Sequence, residues 1–212
     1  MVRVRIGQRP RYPLLAATQR EERPGAFSPG GRLLQVEYAR ECPQSGSLAL
    51  AMRFRRGVLL AKGRLTEPEL GHQIPLVWSV TPRTAYVANG NVGDMFYLRD
   101  FLSDHRSRSA TSVARTIRSL LHNHAVRTDV RPLALMVLLG SVEGGRSAVT
   151  GFDVTGSQWE SDAWAIGQGD LRARDRLMKA WKPDLDPTTA QELVREIYGR
   201  KGYEVAVLQK NR

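Results

Sequence analysis

The stretch Phe27-Ser28-Pro29-Gly30-Gly31-Arg32-Leu33-Leu34-Gln35-Val36-Glu37-Tyr38-Ala39-Arg40-Glu41 changes character part way along. Ser28-Pro29-Gly30-Gly31 has turn chemistry, since proline fixes its own φ and glycine accepts backbone angles closed to other residues. From Arg32 onward the spacing is helical: Leu33, Val36 and Ala39, joined by Leu34 and Tyr38, fall on one apolar side. Pro43 is expected to end this helix, giving it a span of about 31–42.

On the C-terminal side, Ser47 to Phe54 and Val58 to Ala61 are two β-like runs joined by Arg55-Arg56-Gly57, a hairpin pattern. Short strands are expected around Ile74 to Val80 and Thr84 to Ala88, with Asn89-Gly90 as a break. Helices follow at Val92 to Asp104 and Ala110 to Ala125, the second with Val113, Ile117, Leu120 and Leu121 along one stripe. The run Leu133 to Leu139 is continuously apolar, as in a strand covered on both faces, and Gly144-Gly145 turns it into Ser147 to Asp153. Two short strands near Gln158 and Ala163 precede a helix opening at Gly167, a helix from Pro187 to Tyr198 and a last strand, Tyr203 to Leu208. This order predicts an α+β fold, a four-layer αββα sandwich of two antiparallel sheets between helical layers, with one extra helix in front.

On the N-terminal side, residues 1–26 carry Pro10, Pro13 and Pro24 without a clear period, and read as a flexible basic arm ahead of a domain at 27–212. Arg3, Arg5, Arg9, Arg11, Arg20 and Arg23 face only Glu21 and Glu22 there. The net charge of the whole chain is +11, and outside this stretch the arginines are spread along the sequence; no aromatic residues interleave with the basic ones, and no RNA-binding or helix-turn-helix signature appears. A solvated arginine-rich surface therefore accounts for the charge better than nucleic-acid binding does. With 42% hydrophobic and 25% charged residues the composition is globular, which excludes disorder of the whole chain. No apolar run reaches membrane-spanning length and no secretory leader is legible, so a cytoplasmic location is expected. The single cysteine, Cys42, rules out an internal disulfide framework and suits a small buried position beside Ala39 and Val36.

The fifteen residues from Phe27 to Glu41 closely resemble the signature at the start of proteasome α-type subunits, where a turn feeds the extra N-terminal helix that separates α-type from β-type subunits. Gly46-Ser47, Gly57-Val58-Leu59-Leu60, Val130-Arg131-Pro132-Leu133, Phe152-Asp153-Val154-Thr155-Gly156 and Ala165-Ile166-Gly167-Gln168-Gly169 continue the likeness in order. It covers about residues 27 to 209, densely at the helix and loosely between Gly63 and Arg131. The resemblance implies the N-terminal-nucleophile hydrolase fold and a homo-oligomeric seven-membered ring. Phe27, Pro29, Gly31, Arg32, Gln35, Val36, Glu37 and Tyr38 would supply the ring-forming helix. The implied partners are proteasome β-type subunits, an ATPase activator and polypeptide substrates in transit. No cofactor, metal or membrane enters this reading.

In catalytic β-type relatives an N-terminal threonine is the nucleophile, its own amine serves as base, and an acid and a lysine support it. By register, Ser47 occupies the nucleophile slot, Gly63 the acidic slot and Leu76 or Val77 the lysine slot. Self-cleavage after Gly46 would remove the helix just described, and without acid and lysine nothing near Ser47 eases formation of a nucleophile. The expected protein is thus a non-catalytic α-type subunit that scaffolds a β ring and forms the pore through which substrates pass. Two alternatives stay open: a self-processed hydrolase using Ser47, and a homomeric ring that binds nucleic acid through its arm. His72, His105, His122 and His124 are scattered, and the last two, spaced by two on a helix, face differently, unlike a zinc pair. Gly167-Gln168-Gly169 lacks the third glycine of a dinucleotide fingerprint and reads as a tight turn.

The sequence also departs from the family. The gate triplet, tyrosine-aspartate-arginine, is replaced by Arg20-Glu21-Glu22, and Tyr12-Pro13-Leu14 does not restore it. The lysine that receives an activator's C-terminal carboxylate falls at Leu76, while Gly46 and Gly90 of that pocket remain. Lys62, Arg64 or the basic arm are the expected substitutes for docking.

Overall fold

The computed structural model describes residues 27, 30–64, 75–105 and 109–209. The arm 1–26 with Arg20, Glu21 and Glu22, the turn residues Ser28 and Pro29, Ile74 and His72 lie outside the described residues. Helix α1 runs Leu34–Ser45, and is followed by strands β1 (Ala49–Phe54), β2 (Gly57–Gly63), β3 (Trp78–Thr81) and β4 (Thr84–Gly90). Helices α2 (Val92–Asp104) and α3 (Ala110–Val126) lead into β5 (Leu135–Glu143), β6 (Arg146–Phe152), β7 (Gln158–Ser161) and β8 (Ala163–Ile166). Helices α4 (Asp170–Ala180) and α5 (Pro187–Tyr198) precede β9 (Tyr203–Gln209).

The strands form two antiparallel sheets, ordered β8-β1-β2-β9 and β3-β4-β5-β6-β7. Side chains alternate across each strand, so β2 sends Leu59 and Ala61 to α4 and α5, and Val58 and Leu60 to the opposing sheet. Likewise β5 sends Leu135, Val137 and Leu139 toward α2 and α3, and Leu138 between the sheets. This double burial explains the unbroken apolar run at Leu133 to Leu139, although the strand itself begins at Leu135 and continues to Glu143. The two sheets stacked face to face, with helices on each outer face, are the expected four-layer αββα sandwich.

The sheets approach one another closely at Gly140. A Cβ there would stand 2.8 Å from both Leu60 Cδ1 and Val58 Cγ1. Gly140→Val is therefore expected to lower stability by roughly 1–3 kcal/mol through overpacking, measurable as a reduced urea midpoint with an unchanged slope.

Helix α1 departs from expectation at both ends. It starts at Leu34, after Gly31 with φ 74, and Leu33 caps it only through its carbonyl, which accepts from Val36 N and Glu37 N at 3.0 and 3.1 Å. Pro43 does not stop it. Proline removes one N–H from the ladder, but its ring is buried, Ser45 Oγ donates to Cys42 O at 2.9 Å, and the chain leaves the helix at the extended Gly46. The helix expected to open at Gly167 begins instead at Asp170, because Gly167 and Gly169 both take positive φ.

Candidate functional site

Ser47 joins the end of α1 to β1, and its hydroxyl donates to the carbonyl of Gly63 at 2.8 Å. Gly63 ends β2 and donates its own N–H to Leu48 O at 2.8 Å. No acid can stand at Gly63, which carries no side chain, and even a Cβ there would meet Tyr198 Cε1 at 3.2 Å. Tyr198 fills that space from α5 and donates its hydroxyl to Leu48 O at 2.9 Å. Ser47 is thus braced by backbone carbonyls and an aromatic ring, and among the described residues no side chain is bonded to its hydroxyl.

Asn89 organises the same end of the sandwich. Its Nδ2 donates to Ser47 O at 2.8 Å and, more distantly, to Ile166 O at 3.4 Å. Gly46 and Gly167 make room for it: a Cβ at Gly46 would lie 2.5 Å from Asn89 Oδ1, and one at Gly167, where φ is 96, would lie 2.0 Å from Nδ2. Gly90 follows with φ 136, and a Cβ there would stand 1.8 Å from Ala134 O. Gly46, Ser47, Gly63 and, through Asn89, Gly90 are therefore brought together, whereas Leu76 is tied to a different neighbour. Glu204 on β9 accepts from Leu76 N at 3.0 Å and Val77 N at 3.3 Å.

Lys62 on β2 is only 1% exposed. Its Nζ donates to Ala88 O and lies 3.6 Å from Met95 Sδ, and its cross-strand partner is Glu204, whose carboxylate is turned to the Leu76 and Val77 amides. Among the described residues no carboxylate is within ion-pair distance of it. Burial pushes its pKa from 10.5 down to about 8. The expectation that Lys62 could meet a docked partner fails on this burial, while Arg64, one strand position beyond Gly63, is exposed.

The residues of the N-terminal signature have a legible local chemistry. Arg40 Nη1 donates to Glu37 Oε1 at 2.7 Å and Arg40 Nη2 reaches Asp153 at 3.5 Å, while Arg32 approaches Glu37 at 3.7 Å. Val36 and Ala39 pack on Ala125 of α3 and on Val154, anchoring α1 to its own domain. Tyr38 and Phe27 are left 60% and 67% exposed. Gln35 is half-buried, and Gly31 is exposed. Cys42 is half-buried, and burial, then the Asp94 carboxylate, push its thiol pKa up, the opposite of an activated nucleophile.

His122 and His124 lie on α3, where His124 Nδ1 bonds the Leu120 carbonyl at 2.9 Å, and His105 caps α2. Among the described residues no cluster of histidine, cysteine and carboxylates could hold a metal, and no helix is long and apolar enough to cross a membrane. Three polar anchors were not legible as such in the sequence. Asn89 read only as the first half of an Asn-Gly break, Lys62 only as a substitute for docking, and Glu204 only as part of the last strand. Lys62 and Glu204 fall at facing positions of β2 and β9, which no local pattern reveals.

Two face-to-face antiparallel sheets between helical layers are the architecture of the N-terminal-nucleophile hydrolase fold. The profile described as "Proteasome: Proteasome subunit" matches residues 44–200. "Proteasome subunit alpha" of Picrophilus torridus is 30% identical over 178 residues, 77% of this chain and 75% of the relative. The protein of the same name from Methanothermobacter thermautotrophicus is 27% identical over 184 residues, 79% of this chain and 72% of the relative. "Proteasome subunit alpha 2" of Haloferax volcanii is 31% identical over 152 residues, 66% of this chain and 61% of the relative. The chain belongs to the proteasome subunit family, as a divergent α-type member.

Proposed function

We propose that this chain is a non-catalytic α-type subunit that forms a seven-membered ring, scaffolds a ring of β-type subunits and shapes the pore through which polypeptides pass, in the cytoplasm. The observation that carries the non-catalytic part is the environment of Ser47. Its nitrogen is an internal peptide, its hydroxyl is spent on Gly63 O, and the acid and lysine positions hold Gly63 and Leu76. Release of a terminal amine at Ser47 would detach α1, which is anchored by Val36 and Ala39 on Ala125 and Val154. The purified full-length chain is expected to show no hydrolysis of fluorogenic peptides above a blank. Turnover that Ser47→Ala abolishes would instead favour the self-processing hydrolase.

The exposed Phe27 and Tyr38, together with Arg32 and Glu37, are proposed as the face through which α1 meets neighbouring subunits. An exposed tyrosine on an otherwise anchored helix, with Phe27 exposed ahead of it, favours this over a helix that serves only its own core. Tyr38→Ala is expected to weaken ring assembly while leaving the thermal transition of the isolated chain within a few degrees of its parent. Size-exclusion chromatography and calorimetry on one sample distinguish the two effects.

Gating and activator docking are proposed to differ from the family pattern. The positions Gly46, Leu76 and Gly90 themselves bring no cation for a carboxylate, and Lys62 is sealed inside. Arg20, Glu21 and Glu22 are proposed to form the gate region, where like-charged arms converging on one axis would repel one another, so an open or a salt-sensitive gate follows. A reporter bearing an activator-type C-terminal peptide is expected to bind weakly and without dependence on its free carboxylate. Tight carboxylate-dependent binding would contradict this reading.

A further inference from the structure

A groove of about 290 Å3 opens between α2 and the edge strand β3, and none of Ser47, Gly46, Leu76 and Gly90 lines it. Its walls include Trp78, Val80, Tyr86, Arg99, Leu102 and Ser103. Trp78 and Tyr86 are cross-strand partners whose rings stand 5.4 Å apart at 31°. Tyr86 is fully buried, yet its hydroxyl has no hydrogen-bond partner among the described residues. A buried phenol in that condition has given up water without replacement, which native structures rarely tolerate unless something else satisfies the group.

The charges acting on that hydroxyl, after burial, are Arg99 and Asp100, both on α2. Burial raises its pKa, so it remains an O–H donor at neutral pH. Arg99 is fixed in place: Nε and Nη2 meet Asp100 Oδ1 at 2.8 and 2.7 Å, and the guanidinium lies 4.6 Å over the Phe96 ring. Its Nη1 has no partner among the described residues, while the Ser103 hydroxyl already donates to Arg99 O at 2.9 Å. The groove thus offers the Tyr86 O–H and a guanidinium N–H beside serine hydroxyls at its polar end, and an indole, a valine and a leucine along its wall. Among the described residues no carboxylate lines it. With a single guanidinium, partly neutralised by Asp100, a monoanion suits the site better than a dianion.

We propose that this groove binds a small monocarboxylate with an aromatic or branched aliphatic body. Its carboxylate accepts from the Tyr86 hydroxyl and Arg99, and its apolar part lies on Trp78, Val80 and Leu102. A free organic acid and the C-terminal residue of a peptide share this chemistry, so both are tested.

Saturation-transfer difference NMR on the full-length protein, with 3-phenylpropionate as probe, is expected to show saturable binding. The neutral analogue 3-phenylpropanol and the bodiless acid propionate should bind about tenfold more weakly or worse, and Tyr86→Phe and Arg99→Gln should each weaken 3-phenylpropionate by a similar factor. Tyr86→Phe keeps the ring and removes only the unpaired hydroxyl, so its circular dichroism and thermal transition should match those of the parent. N-acetyl-glycyl-phenylalanine binding more tightly than 3-phenylpropionate assigns the groove to chain termini, and the reverse order assigns it to free acids. Absence of saturable transfer at millimolar probe, or binding that either variant leaves unchanged, overturns the proposal.

Discussion

Lys62→Met is expected to raise stability at pH 7 by about 2 kcal/mol. The folded state holds the Lys62 ammonium in the sheet interface with a carbonyl and a thioether for company, and depresses its pKa from 10.5 to about 8. A shift of that size corresponds to about 3 kcal/mol of penalty, from which about 1 kcal/mol is subtracted for the lost hydrogen bond to Ala88 O. Methionine keeps the length and packs well in such a gap. The sign of the pH dependence follows from proton counting. Below about pH 8 both folded and unfolded states are protonated and the penalty is fully present. Between about 8 and the ordinary value of 10.5 the unfolded chain binds more protons, so this component of stability rises with pH. Urea unfolding of parent and Lys62→Met across that range is expected to show the difference shrink as pH increases. A constant difference would mean that Lys62 is not the group responsible.

The opposite effect is expected at Asp94. This residue on α2 is 4% exposed, and its carboxylate accepts from Arg131 through both Nη1 at 2.7 Å and Nη2 at 2.5 Å, and from Ala134 N at 2.9 Å. The pair fastens the start of α2 to the segment entering β5, beside the point where Gly90 meets Ala134 O. Asp94→Ala strands the Ala134 amide and takes away the acceptor for the guanidinium, and is expected to cost about 3 kcal/mol, at the low end for a broken buried pair because Arg131 is itself 62% exposed. A chemical-denaturation series would register it as a lowered midpoint. A loss under about 1 kcal/mol would show that the pair is screened like a surface bridge.

Much of the fold was readable before any coordinates, because the sequence states its periods openly. The apolar run at Leu135 to Leu139, the turn residues Gly144-Gly145, and the stripe Val113, Ile117, Leu120 and Leu121 each belong to an element whose spacing matches its burial. Boundaries were less legible where two local rules compete. Proline argues against a helix at Pro43, but packing of its ring outweighs the single lost N–H. Gly167 argues for a helix start, yet two positive-φ glycines in three residues delay it to Asp170.

The candidate site was legible as a set of absences and opaque as a set of contacts. Gly63 and Leu76 announce by their chemistry that no acid or amine stands there. That Asn89 reaches across from the other sheet to Ser47 O is a consequence of sheet stacking, and sheet stacking leaves no trace in local spacing. The same holds for Lys62, whose burial depends on which face of β2 meets β4 and α2. Its lysine sits in a strand otherwise made of Val58, Leu59, Leu60 and Ala61, and that apolar company is the one signal that could have marked it as interior.

The central claim, that this α-type chain is a ring-forming subunit that does not process itself, is tested most directly by native mass spectrometry of the purified full-length protein. One spectrum reports both assembly and subunit mass. The account predicts a particle of seven chains, each retaining the residues ahead of Ser47. A monomer at every concentration, or a subunit whose mass begins at Ser47, would contradict it.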